Sequence, residues 1–222
     1  MVKFCSLGFH CQSSQILIRN NQKKESYPFD WMFSNQFIIN DCIEDDFKKL
    51  LNKKYYIDHS SNFYNNNCGH SIYKNNLFPH RDMRLAENYN YLLRCVMRFK
   101  NFCRSTEEKI FLMTIIDRNL VENIYSNLNN LKKILNKKTF NFKIVCLVFL
   151  YNNKNNEHYT EINDNIHIIY INLKSKSNGL NFKDESDNIY VDKIINNNYI
   201  NKINNNDIHI YAKGNSNGSY GL

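Results

Sequence analysis

The chain has 222 residues, long enough to bury a substantial core, and its 42% hydrophobic and 14% aromatic content excludes a disordered chain. A net charge of +8 permits an anionic partner, yet the lysines are scattered. No Lys/Arg run alternates with aromatics on one face, so a nucleic-acid groove is not expected. A mean hydropathy of −0.58 comes largely from asparagine, which recurs in runs such as Asn65-Asn66-Asn67 and Asn196-Asn197-Asn198 and fits an AT-rich coding bias.

Seven cysteines, at 5, 11, 42, 68, 95, 103 and 146, are an odd number without framework spacing, so free thiols in a reducing, cytoplasmic compartment are expected. Met1-Val2-Lys3 leads straight into a predicted strand, so a secretory leader is not expected, and no apolar run reaches membrane-spanning length. A single domain over 1–213 is expected, with a frayed Gly/Ser/Asn tail over 214–222.

Val2 to Ser6 reads as a strand, Leu7-Gly8-Phe9-His10 as a tight turn, and Cys11 as the opening of a helix that carries Ile16, Leu17 and Ile18. A thiol at that junction meets unpaired backbone N–H groups and the positive end of the helix dipole, which favour the thiolate. The chain returns through Tyr27-Pro28-Phe29-Asp30-Trp31.

A helix is predicted over 35–51 from Ile39, Ile43, Phe47 and Leu50, with Ser34 or Asn35 as cap. The stretch 54–84 is the least regular; it holds His59, His70 and His80 and reads as a functional segment able to fold over a site. An amphipathic helix spans 85–104, a buried strand 109–116 and a helix 119–137. Strands over 142–151 and 166–173 follow, separated by a polar loop. A loop over 175–187, a helix over 188–200 and a short strand over 207–211 complete the order.

Strands that alternate with helices and are apolar along their length predict an α/β fold. The expected form is an open, mostly parallel sheet with helices on both faces, a three-layer Rossmann-like arrangement. The working edge of such a sheet lies beyond the carboxyl ends of its strands. Cys11, Asp117-Arg118 and Tyr151-Asn152 all fall there.

Ser6-Leu7-Gly8-Phe9-His10-Cys11 and Tyr27-Pro28-Phe29-Asp30-Trp31 resemble the opening turn and the Pro-Phe-Asp-Trp motif of a domain family described as papain-like cysteine peptidases. Further resemblance runs through Asn67-Cys68-Gly69-His70-Ser71-Ile72-Tyr73, Phe78-Pro79-His80 and Arg94-Cys95-Val96-Met97-Arg98-Phe99, covering roughly the first 116 residues. The resemblance implies a thiol nucleophile at Cys11 with a histidine of the middle segment as base, and a papain-like α+β fold as the alternative architecture. Where family members tend to carry paired histidines, this chain has His80 alone.

The candidate catalytic set is therefore Cys11, His80 before His70 as base, and Asp30 either as the acid that orients the histidine or as a structural pin; Asp82 and Asp117 are rivals for the acid. The expected substrate is a peptide, amide or glycan-type molecule, with no cofactor. A metal site drawn from His59, Cys68, His70 and His80 lacks paired ligand spacing. Gly8 alone falls short of a phosphate-binding Gly-rich loop. The competing reading is a non-catalytic or transferase-like module that binds a glycan or nucleotide through Arg81, Arg84 and Arg118, with Cys11 and Asp30 as scaffold.

Overall fold

A computed structural model describes residues 2–58, 67–116, 123–151 and 155–200. Five strands form one sheet in the order β1 (Lys3–Ser6), β5 (Lys109–Ile115), β6 (Phe142–Tyr151), β8 (Ile166–Leu173) and β7 (Glu157–Asn163). The first four run parallel, and β7 is antiparallel to β8. This is the expected α/β architecture.

Covering both faces is what allows β5 and β6 to be apolar on both sides. On one face Phe4, Leu112, Leu147 and Ile171 pack against α1 (Gln12–Arg19) and α5 (Glu185–Ile195). On the other, Cys5, Phe111, Cys146 and Ile168 share a core with α2 (Gln36–Glu44), α3 (Ala86–Arg104) and α4 (Ile124–Asn136). Each fully buried aliphatic side chain contributes about 1.5–3 kcal/mol of transfer free energy. Even the one charge inside β5 is provided for: Lys109 donates from Nζ to the Ser105 and Glu107 carbonyls at 2.7 and 2.8 Å.

The stretch expected to be irregular carries its own antiparallel sheet, β2 (Tyr56–Ile57), β3 (Cys68–His70) and β4 (Lys74–Phe78), after a 3-10 turn at Lys53–Tyr55. A Cβ at Gly69 would lie 2.3 Å from the Asn75 carbonyl oxygen, so only glycine lets β3 and β4 approach this closely.

Boundaries differ from the sequence reading at α4, where the helix expected from 119 begins at Ile124 after the N-cap Asn123, and at three further places. Helix α2 ends at Glu44, because Asp46 and Phe47 turn to positive φ of 61° and 64°. Phe47 and Leu50 still enter the core from the turn that follows. The polar loop before β8 contains an edge strand, β7. Helix α5 starts at Glu185, where the Asp184 carboxylate caps the Ser186 N–H, and a π turn over Asn196–Ile200 completes it. Asp117, Arg118, His59, the strand at 207–211 and the 214–222 tail lie outside the described residues.

No described helix is long and apolar enough to cross a membrane. All seven cysteines are free thiols, and all are buried.

Candidate active site

Strand β1 continues past Ser6 with one more sheet bond, Leu7 N–H to the Leu112 carbonyl at 2.8 Å, and then turns at Gly8. A Cβ on Gly8 would stand 2.3 Å from both the His10 carbonyl oxygen and the Ser13 hydroxyl. The turn is therefore tight enough to exclude any side chain there. It delivers Cys11 to the N-cap of α1, with helical φ and ψ of −67° and −11°. The thiol makes no capping bond to the helix.

A relay of backbone bonds brings the middle segment to that thiol. The Ser34 hydroxyl donates to the Gly8 carbonyl, and its N–H donates to the Phe9 carbonyl at 3.2 Å. Next along, the Phe33 N–H donates to the Leu77 carbonyl at 2.9 Å. Leu77 belongs to β4, and Pro79-His80 follow it directly. Beyond His80 the chain is pinned again: the Met83 N–H donates to Cys68 Sγ at 3.2 Å, and the Arg81 guanidinium lies 4.0 Å over the Tyr91 ring. Between these two anchors His80 is exposed, with Nε2 3.7 Å from Cys11 Sγ.

The electrostatics differ from the thiolate expected at a helix start. Cys11 is only 2% exposed, and burial pushes its thiol up to about 11. A backbone N–H pulls the other way, while the negative charge of Asp30 adds to the rise. His80 is held below its ordinary value, first by partial burial and then by the Arg81 charge. At neutral pH the pair rests as thiol and neutral imidazole. Desolvation outweighs the helix terminus here, and sequence position could not show how deep the sulfur lies.

His70 sits elsewhere in the architecture. Its ring is buried in β3, stacked on Tyr73 at 4.6 Å and near Tyr55 and Tyr56, with Nε2 against the Lys49 carbonyl at 3.1 Å. Nδ1 has no hydrogen-bond partner among the described residues, and burial holds the ring below its ordinary pKa. His10 packs edge-on against Phe33 at 5.7 Å.

Asp30 is completely buried. Its Oδ2 accepts from the Lys23 ammonium and from the Tyr27 N–H at 2.7 Å. Burial raises this carboxyl and Lys23 opposes the rise, so the partner that sequence reading missed is a lysine seven residues upstream. Phe29, beside it, locks into Phe47 and Phe99 at 5.8 and 6.2 Å, which fixes the Pro-Phe-Asp-Trp loop against α3. Asp82 is bonded by Arg84, which also reaches Asp58, so two carboxylates already engage that guanidinium.

Two further residues gave no signal in sequence. Gln12, buried directly after Cys11, accepts through Oε1 from the Ser177 hydroxyl at 2.9 Å, across 165 positions of chain. Its Nε2 has no hydrogen-bond partner among the described residues. Among the described residues no three His, Cys, Asp or Glu side chains gather as a metal site.

Compared with protein-family profiles, residues 2–184 match the family described as "Putative papain-like cysteine peptidase". The chain belongs to that family. The match runs well past the first 116 or so residues on which the sequence resemblance rested, and takes in β6, β7 and β8. The papain-like family assignment thus spans both sheets and the turn that carries Cys11. No curated protein and no solved structure matches the chain.

Proposed function

We propose that the protein is a cysteine-dependent hydrolase or acyl-transfer enzyme acting on a peptide or amide bond, with Cys11 as nucleophile and His80 as base. The observation that carries this reading is the 3.7 Å approach of His80 Nε2 to Cys11 Sγ, made across 69 positions of chain at the carboxyl end of β1.

Because both groups rest neutral, the first step is general-base attack. The S–H donates to Nε2; sulfur bonds to the substrate carbonyl carbon as the proton passes to the imidazole. The oxyanion forms beside the first turn of α1, whose N–H groups at Gln12 and Ser13 have no acceptor within the helix. His80 returns its proton to the departing amine, leaving a thioester on Cys11. Water, deprotonated by His80, then releases the acid and restores the thiol.

In this account Asp30 pins the loop through Lys23 and Tyr27, and His70 packs the small sheet. The competing arginine-based binding reading is less favoured, since Arg84 is held by two carboxylates and Arg81 lies over Tyr91. Acetylation by p-nitrophenyl acetate at pH 7 with peptide mapping tests the proposal: the acetyl group is expected on Cys11 and is expected to vanish in Cys11→Ala.

A further inference from the structure

A cleft of about 520 Å³ opens where β5, β6 and β8 end, on the sheet face that carries α1 and α5. That size suits a small organic molecule. Its walls are apolar: Ile116, Leu173, Phe149 and Phe182, the last two meeting edge to face at 4.8 Å. Among the described residues of the lining Lys176 is the one that carries a charge, and its Nζ lies 5.5 Å over the Tyr151 ring.

The polar end of the cleft is unfinished. Ser177 lines it and spends its hydroxyl on Gln12 Oε1. That bond fixes the Gln12 amide with Nε2 buried and unpartnered at the start of α1. Thr114, on β5 two residues before Ile116, has a buried hydroxyl that also lacks a hydrogen-bond partner among the described residues. Buried donors without acceptors are costly unless something completes them. An anionic oxygen suits the Lys176 ammonium in the lining, with the Gln12 amide next to Ser177 behind it.

We propose that this cleft binds an aromatic carboxylate. The ring lies between Phe149, Phe182, Ile116 and Leu173, and the carboxylate faces Lys176 with the Gln12 amide behind Ser177 as second donor. One lysine and an apolar wall among the described lining residues match one negative charge on a flat hydrophobic body; a nucleotide polyphosphate calls for several cations or a Gly-rich loop. The proposal stands whether or not Cys11 is reactive.

The test is calorimetric titration of the full chain carrying Cys11→Ser with N-acetyl-L-phenylalanine, its amide and N-acetylglycine. The acid is expected to bind about tenfold more tightly than either comparison compound. Lys176→Met, a change at an exposed position, is expected to erase the preference of acid over amide while leaving ring-dependent binding. Ile116→Trp, which fills the cleft, is expected to abolish both. Equal binding of acid and amide, a preference that survives Lys176→Met, or no saturation by ~10 mM overturns the proposal. Acetylation of Cys11 in the unsubstituted chain is scored separately, so failure of the cleft and failure of the nucleophile give different results.

Discussion

The Phe33 N–H donates to the Leu77 carbonyl at 2.9 Å, and through that bond the loop after Trp31 holds β4, which ends two residues before His80. On the other side Ser34 holds Gly8 and Phe9. Residues 33–34 thus link the turn that carries the thiol to the segment that carries the imidazole.

The tightness of the Gly8 turn gives a first expectation. In Gly8→Ala the new methyl meets the His10 carbonyl and the Ser13 hydroxyl at 2.3 Å, so the backbone has to shift. Overpacking of this kind costs about 1–3 kcal/mol, and it displaces Cys11 directly. Thermal unfolding should show the loss of stability, and Cys11 acetylation should fall further than stability alone explains.

Asp30 separates an orienting acid from a loop pin. Removing it in Asp30→Ala leaves the partly buried Lys23 without its counter-charge, a loss of about 3 kcal/mol in denaturant titration. Asp30→Asn keeps the Tyr27 bond and removes the charge that raises the Cys11 thiol. Alkylation of Cys11 by iodoacetamide at pH 8 is then expected to speed up. A slowing by two orders of magnitude or more would instead make Asp30 part of the catalytic set.

A thiol near 11 has a distinct pH signature. In the unliganded protein the rate of Cys11 alkylation should climb about tenfold per pH unit from 7 to 10, following the thiolate fraction. A plateau already reached near pH 6 would indicate a preformed thiolate–imidazolium pair and contradict the neutral resting state.

His70 and His167 make folding sensitive to mild acid. Burial lowers both, His167 to about 4 with help from the Lys143 charge. The unfolded chain therefore binds protons first as pH falls. Their contribution is fully present above pH 6.5, the ordinary histidine value, and drains as pH drops from there toward 4. Urea midpoints should be lower at about pH 5.5 than at about pH 7.5, and His167→Gln should flatten that difference.

The central sheet was legible because β5, β6 and β8 are apolar along most of their length, which is what burial on both faces demands. Edge strand β7 was not: Glu157, His158, Glu161 and Asn163 meet solvent, so no apolar period marks it. Helix α2 was read too long because Phe47 and Leu50 keep helical spacing while the backbone at Asp46 and Phe47 has already left the helix. Cys11 and His80 could be named from residue type and position, yet depth could not, and depth sets the thiol's protonation. The Lys23–Asp30 and Ser177–Gln12 contacts depend on tertiary packing that local pattern does not encode.

One measurement bears most directly on the Cys11–His80 account: the rate of site-mapped acetylation by p-nitrophenyl acetate at pH 7, compared between the unsubstituted chain and His80→Ala. His80 is exposed, so the variant should fold. The expected result is acetyl on Cys11 with a rate about 10²–10⁴-fold lower in His80→Ala. Equal rates in the two proteins, or acetyl spread over Cys42 and Cys95 as readily as Cys11, would contradict it.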